Sequence, residues 1–192
     1  MLISADKFNS MPVMSLQTGS ELARTARAII NPYSLSIIAY ELSGALLTQH
    51  PALLRVADIR EIGPMGMIID SADELIEPGD VVKIQEIYDI GFSLDNIKVV
   101  NERKTTIGRV IGYTMEAESF VIQQLRVKRP FLKSLGDVEL LIHRSQIVEI
   151  SLDKIIVKSP EVRHAQPINL PSQTLDNPFR SRPRTEPETS DT

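Results

Sequence analysis

The chain has 192 residues, of which 42% are hydrophobic and 24% are charged, and its formal net charge is −4. These values fit one ordinary domain or two small ones, and they give no global electrostatic reason to expect DNA binding. Cysteine is absent, which excludes disulfides, thiolate metal sites and thiol catalysis. No stretch approaches the roughly 18 to 20 apolar residues that span a bilayer. The N-terminus also lacks the basic and apolar regions of an export signal, and we therefore expect a soluble, cytoplasmic protein without a membrane span.

The first third of the chain predicts short β-strands. After the opening segment LISADKFNSMPVMS comes ARAIINPYSLSIIAYEL (26–42), two runs separated by the polar turn NPYS. The segment DIREIGPMGMIID (58–70) then predicts a hairpin around Pro64-Met65-Gly66. Runs that are short, rich in Ile and bounded by Asn-Pro or Gly are typical of strands. We predict a first domain over residues 1–77.

The next segment, SADELIEPGDVVKIQEIYDIG (71–91), predicts a linker over 78–90 with a short helix packed between two domains. Its apolar residues recur at roughly helical spacing. Its carboxylates are oxygen ligands suited to a hard cation, but the stretch lacks the glycine turn and ligand order of a calcium loop. We interpret them as solvated groups that keep the linker away from sheet edges: Asp70, Asp73, Glu74, Glu77 and Asp80.

Residues 91–160 repeat the first domain. QIVEISLDKIIVK (146–158) matches the first hairpin at a constant spacing of 88, so Ile150 lies over Ile62 and Glu149 lies over Glu61. We expect both isoleucines to be core residues and both glutamates to have the same structural role. Upstream, GRVIGYTMEAESFVIQQL (108–125) matches 26–42 at an offset of about 82, which places Arg109 over Arg27. Each copy then has about five or six short strands, and curling into a small barrel removes the edges of such a sheet.

The last segment, residues 161–192, differs in composition from the rest of the chain. It is rich in Pro, Ser, Thr and Arg and has only scattered apolar residues. Such a segment buries too little surface to offset its conformational entropy, and we expect a disordered tail.

The order of these features resembles the PRC-barrel family. The residues that carry the resemblance are the strand start Ile107-Gly108-Arg109-Val110, the hairpins Ile59–Ile69 and Ile147–Val157, and the opening segment. The family is known from the cytoplasmic domain of the reaction-centre H subunit and from the C-terminal domain of a ribosome maturation factor. The resemblance implies an all-β chain of two PRC-type β-barrels in tandem. It transfers no catalytic residue, because the family shares none, and fold likeness alone implies no activity.

Motifs for catalysis are missing from the sequence. The three histidines, His50, His143 and His164, are too far apart for a zinc motif, and the chain has neither a nucleophile elbow nor a phosphate loop. We therefore expect no enzyme activity, no cofactor and no metal. Gly108 and Gly112 share one predicted strand, where we expect close packing or a bulge.

The basic segment RVKRPFLK (126–133) is the main candidate for partner binding. We place it in a loop that is longer in the second copy, and we expect contacts with an anionic partner from Arg126, Lys128, Arg129, Phe131 and Lys133. The alternative interpretation is a solvated hairpin. Its sister segment in the first copy, SGALLTQHPALL, is uncharged, so the shared architecture does not require these charges.

These observations favour a non-enzymatic adaptor or scaffold that binds a protein partner through sheet edges and loops. A second hypothesis is a ribosome-assembly or RNA-associated factor that uses the basic segment. A third is a sensor that binds a small ligand or an ion between the two barrels.

Overall fold

A computed structural model describes residues 1–129 and 139–158, and strands account for most of their regular structure. In the first half the strands are β1 (Leu2–Ser4), β2 (Pro12–Ser15), β3 (Glu21–Asn31), β4 (Ser36–Ser43), β5 (Ala52–Arg55), β6 (Glu61–Gly63), β7 (Gly66–Ile69) and β8 (Leu75–Ile76). The helix α1 (Val82–Ile90) and a second set of strands follow: β9 (Lys98–Asn101), β10 (Thr106–Glu116), β11 (Ile122–Lys128), β12 (Glu139–His143), β13 (Ile147–Ile150) and β14 (Lys154–Val157). The predicted all-β class with one short helix is confirmed. The predicted tail, 161–192, lies outside the described residues.

The strands form two seven-stranded sheets, and six strands of each sheet match in order and direction. The first sheet has the order β6-β7-β2-β3-β4-β5-β8, and the second has the order β12-β11-β10-β9-β14-β13, with β1 also paired to β10. In the first sheet β2 pairs antiparallel with β3 and parallel with β7. In the second sheet β9 pairs antiparallel with β10 and parallel with β14. The repeat seen in the sequence is therefore a repeat of strand order and direction.

Two equivalent arginines correct the alignment of the first halves of the copies. Arg24 lies opposite the first residue of β2, and Arg109 lies opposite the first residue of β9. Each guanidinium donates to the carbonyl oxygen of a residue in the left-handed conformation, Ser10 at 3.1 Å and Asn96 at 2.8 Å. The match of Arg27 with Arg109 was therefore wrong by three residues. The sequence match chose Arg27 instead of Arg24, because both arginines lie in β3. The bulges of β3 and β10 lie at equivalent positions in the two copies.

The two copies meet across a local two-fold arrangement. The N–H of Ile37 donates to the carbonyl oxygen of Phe120 at 3.0 Å, and the N–H of Ile122 donates to that of Leu35 at 2.9 Å. In the repeat Ile122 corresponds to Ile37, and Phe120 corresponds to Leu35. The two hydrogen bonds are therefore equivalent. Leu35 and Phe120 both have positive φ, 49° and 54°. A contact in which equivalent groups exchange bonds is the kind found in symmetric dimers.

The copies also share a core. The rings of Phe8, Tyr40 and Phe120 pack together with centroid separations of 5.9 to 6.3 Å, and Phe120 belongs to the second copy. Strand β1 opens the first copy in sequence but pairs with β10 in the second sheet. Residues 1–159 accordingly form one compact unit.

The closing hairpins contribute deeply buried side chains at matched positions of the two copies. These side chains are at most 1% exposed: Met67, Ile69, Ile155 and Val157. Ile62 and Ile150 are only half-buried and pack at the margin of the core, so the expectation that they are core residues was wrong. Their strands are the outermost of each sheet, which leaves one side without a covering neighbour among the described residues.

The linker helix α1 packs on the first sheet. Ile84 and Ile87 are buried against Ile29, Ala39 and Leu53, where the sequence had placed the helix between the copies. Gly91, with a φ of 63°, ends the helix in the left-handed conformation that glycine adopts readily. No helix within the described part of the chain combines the length and apolar character needed to cross a membrane.

Candidate partner-binding site

The basic segment begins on a strand rather than in a loop. Arg126 and Lys128 lie in β11, and Arg129 follows it directly. Phe131 and Lys133 lie outside the described residues. The sequence analysis placed the whole segment in a loop. This was wrong for Arg126 and Lys128, because β11 extends further along the chain than the Ile and Val content of the strand indicated.

Arg126 has an internal partner. One of its guanidinium nitrogens lies 2.9 Å from a carboxylate oxygen of Asp6, which belongs to the short turn after β1. The guanidinium lies over Gly112, where an added Cβ would come within 2.5 Å of a guanidinium nitrogen. A glycine in the bulge of β10 thus makes room for the arginine, as the sequence predicted for this strand. Arg126 ties the N-terminal segment to the second sheet.

Lys128 belongs to a row of cations that crosses four neighbouring strands. Lys128 lies opposite Arg109, Arg109 lies opposite Lys98, and Lys98 lies opposite Lys154. Residues directly opposite one another share a face of the sheet, and neighbouring strands are about 4.8 Å apart. The four side chains therefore lie within roughly 15 Å on one face. We name Lys98, Arg109, Lys128 and Lys154 the basic ladder.

The basic ladder lies on the outer face of the second sheet. Its members Lys98, Arg109 and Lys128 are exposed, and Lys154 is half-buried. The residues beside them in sequence point to the core and are at most 1% exposed: Val99, Val110, Val127 and Ile155. Glu139 of β12 lies opposite Lys128, which places a carboxylate beside the row.

The row of like charges has an energetic cost for the isolated protein. Like charges directly opposite one another on neighbouring strands destabilise a sheet, and the carboxylate of Glu139 opposite Lys128 offsets part of this effect. Arg109 is also held in place by its bond to the carbonyl of Asn96, so its charge stays beside its neighbours. An anionic partner would relieve this repulsion.

The first copy shows that the fold does not require these charges. The corresponding positions across its strands are Gly66, Pro12, Arg24 and Ser43. Among these four residues only Arg24 is charged, and its guanidinium lies 2.8 Å from the carboxylate of Glu21. The charges are thus a property of the second copy rather than of the architecture.

Exposed apolar side chains flank the basic ladder. Leu141 of β12 lies opposite Arg126, one row from the ladder, and is 59% exposed. Ile111, in the bulge of β10, is 38% exposed. Cations beside exposed aliphatic side chains suit a partner segment that carries both acidic and apolar residues.

A pocket of about 390 Å³ lies where the two copies meet, and both copies contribute to its lining. Arg27 lines it, but its guanidinium is bonded to the carboxylate of Glu41 at 2.7 and 3.0 Å. Asp6 lines it and is bonded to Arg126. Burial raises the pKa of Tyr113 to about 12, and the negative charge of Asp6 adds to this effect. The charged groups of Arg27 and Asp6 are therefore already engaged within the protein.

The remaining sequence candidates are dispersed. His50 and His143 are exposed, and His164 lies outside the described residues. Glu61 and Glu149 are both exposed on the outermost strands of their sheets. The predicted linker carboxylates make local bonds: Glu77 and Asp80 cap a short turn, and Asp70 pairs with Arg60. Over residues 1–129 and 139–158, no group of three His, Asp or Glu residues is placed to hold a metal.

Three members of the basic ladder were missed by the sequence analysis. Lys98, Arg109 and Lys154 are far from 126–133 along the chain, and strand pairing brings them together. The sequence did contain a signal for their exposure, since each of these cations is next to an apolar residue that is buried in the same strand. Strand register was needed to join them into one row.

No family model matches this chain, and no curated protein matches it in sequence. The resemblance to the PRC-barrel family stays a prediction, which depends on the repeated hairpins and the strand start at Ile107.

Proposed function

We propose that this protein is a non-enzymatic adaptor or scaffold, and that its basic ladder binds an acidic segment of a protein partner. The observation that carries the proposal is the alignment of Lys98, Arg109, Lys128 and Lys154 across four strands of the second sheet. A rigid sheet fixes the spacing of these charges, so a partner gains their attraction with little loss of backbone entropy.

The partner segment is acidic and also carries apolar residues. The cations attract carboxylates, while Leu141 and Ile111 offer apolar surface at the side of the row. The whole chain has a net charge of −4, so the attraction is confined to this face and favours a short acidic segment.

The proposal extends to the architecture and location. The two sheets correspond to two PRC-type β-barrels in tandem, over residues 1–77 and 91–160, and the protein acts in the cytoplasm. Support for the tandem architecture comes from the repeated strand order and from the matched closing hairpins.

Binding of defined probes tests the function. The ladder variant is Lys98→Glu with Lys128→Glu, and the control is Lys83→Glu with Arg103→Glu, which has the same net charge and alters exposed residues elsewhere. The probe is a labelled peptide rich in Asp and Glu with interspersed Leu, and binding is followed by fluorescence anisotropy. We expect the ladder variant to bind at least about tenfold more weakly, and the control to bind like the wild type.

A second probe separates the protein partner from the RNA alternative. A single-stranded RNA oligomer is titrated under the same conditions, over a range of salt concentrations. Tighter binding of RNA than of the acidic peptide, with a steep loss of affinity in salt, would favour an RNA-associated role instead. Equal binding of the acidic peptide to wild type and ladder variant, with unchanged thermal melts, would contradict the proposal.

A further inference from the structure

The outer edge of β12 differs from its counterpart in the first copy. Strand β5 is the equivalent strand there, and its outer edge is covered by β8, with Leu53 opposite Ile76 and Leu54 opposite Leu75. Within residues 1–129 and 139–158, no strand pairs with the outer edge of β12. An exposed strand edge presents unpaired N–H and C=O groups, which is a template for adding another strand.

The side chains of β12 are complementary to a second copy of the same strand. The sequence Glu139-Leu140-Leu141-Ile142-His143 can pair antiparallel with itself about Leu141. In this register Glu139 of each copy lies opposite His143 of the other, and Leu141 lies opposite Leu141. Opposite charges and apolar pairs directly across two strands stabilise a sheet, whereas like charges destabilise it.

The exposed side of β12 supports this register. Glu139, Leu141 and His143 are all exposed, and Leu141, at the proposed axis, is 59% exposed. The Nδ1 of His143 accepts a hydrogen bond from the N–H of Ser145 at 3.2 Å. When the ring is neutral, its proton is therefore on Nε2, which becomes the donor for a carboxylate opposite.

We propose that two copies of this chain associate through β12, with the strands antiparallel about a two-fold axis at Leu141. The two second sheets then form one continuous sheet. A two-fold axis perpendicular to the sheet keeps both basic ladders on the same face. The two Lys128 residues are separated by three strand spacings across the sheet and, since each lies opposite Glu139, by the four residue steps from Glu139 to His143 along the strands, which together give roughly 20 Å. The dimer presents two ladders to one partner or to two acidic segments.

The dimer is expected to be weak. One pair of five-residue strands contributes a small contact, below the area typical of stable dimers, so we expect a Kd in the micromolar range. Sedimentation velocity of the full chain over a wide concentration range measures this directly. A chain that stays monomeric at hundreds of micromolar would overturn the proposal.

Four variants test the register. Leu141→Lys places like charges at the axis and should weaken the dimer by at least about tenfold. Val148→Lys makes the same change in charge on β13, an outermost strand at the other side of the sheet, where the side chain is 52% exposed; it should leave the dimer unchanged.

The third and fourth variants exchange the charges. Glu139→Lys alone should weaken the dimer, and the double variant Glu139→Lys with His143→Glu should restore it, because a cation and a carboxylate then face each other across the two strands. Thermal melts show whether each variant is folded. A dimer that survives Leu141→Lys, or that the double variant fails to restore although it is folded, would place the association elsewhere and overturn the register.

Discussion

Tyr40 places a hydroxyl group inside the shared aromatic cluster. Its ring packs against Phe8 and Phe120, and its oxygen is buried without a hydrogen-bond partner among the described residues. Burial raises the pKa of this phenol, because the charged form is strongly disfavoured there, and the charge of Tyr113 adds to the effect. An unsatisfied buried hydroxyl costs about 1 to 3 kcal/mol of stability.

Tyr40→Phe should therefore stabilise the protein. Removing the oxygen leaves the ring contacts in place and eliminates the unpaired group, so we expect the free energy of unfolding to rise by about 1 kcal/mol. Tyr33→Phe is the matched control, because Tyr33 is 84% exposed and should show no change. Denaturant unfolding of both variants measures the effect, and destabilisation by Tyr40→Phe would mean that its hydroxyl does have a partner.

Tyr113 makes the stability of the folded protein depend on pH in the alkaline range. Its pKa is raised from the usual value of 10.0 to about 12 in the folded state. Between these values the unfolded chain has lost the phenolic proton and the folded chain retains it, so the unfolded state binds fewer protons. Stability should therefore be fully present below pH 10 and should fall as the pH rises toward 12, by at most about 1.4 kcal/mol per pH unit from this group. Tyr113→Phe should reduce that slope in unfolding curves at pH 9 and 11, and an unchanged slope would contradict the assignment.

At the scale of the strands, Gly108 permits β10 and β11 to pack closely. A Cβ at this position would lie 2.2 Å from the carbonyl oxygen of Lys128, which is backbone and cannot move aside cheaply. Gly108→Ala should destabilise the protein by about 1 to 3 kcal/mol. Gly79→Ala is the control, since its nearest neighbour would be a side-chain atom of Gln85 at 3.7 Å. Equal stability of the two variants would show that the strands are able to separate there.

The elements that could be predicted from sequence are those marked by local pattern. The closing hairpins were found because their apolar runs recur at one spacing on both sides of a short break, and α1 was found because Ile84 and Ile87 recur at helical spacing. The strand β3 was aligned wrongly with β10 because β3 has two arginines, Arg24 and Arg27, and strand pairing rather than residue identity shows which of them corresponds to Arg109. The sequence did not show that Ile62 is less buried than Met67, because burial depends on which strand is outermost in the sheet.

The candidate site was predictable only in part. Lys128 was found because basic residues are adjacent in 126–133, but Arg126 in the same segment has Asp6 as an internal partner, 120 residues earlier in the chain. The basic ladder depends on the pairing of four strands, and the parallel pairing of β9 with β14 is a long-range contact. Charge distribution on a sheet face follows from register, which a single sequence does not reveal.

At the scale of the whole molecule, the two copies should unfold together. Phe8 and Tyr40 of the first copy pack on Phe120 of the second, so neither core is complete alone. Met67→Ala and Ile155→Ala, at matched buried positions, should each lower stability by about 2 to 5 kcal/mol and shift one common transition. Calorimetry checks this, and two separate transitions in either variant would indicate that the copies are independent domains.

The central claim is that the basic ladder of the second sheet contacts an acidic partner. An amide NMR titration of the full chain with the acidic, leucine-containing peptide tests it most directly, because it reports where the peptide binds. We predict that the largest shift changes map to Lys98, Arg109, Lys128 and Lys154 and to the flanking Leu141 and Ile111. Shift changes that cluster instead around the exposed Tyr33 and Val148, with the ladder amides unmoved, would contradict the claim.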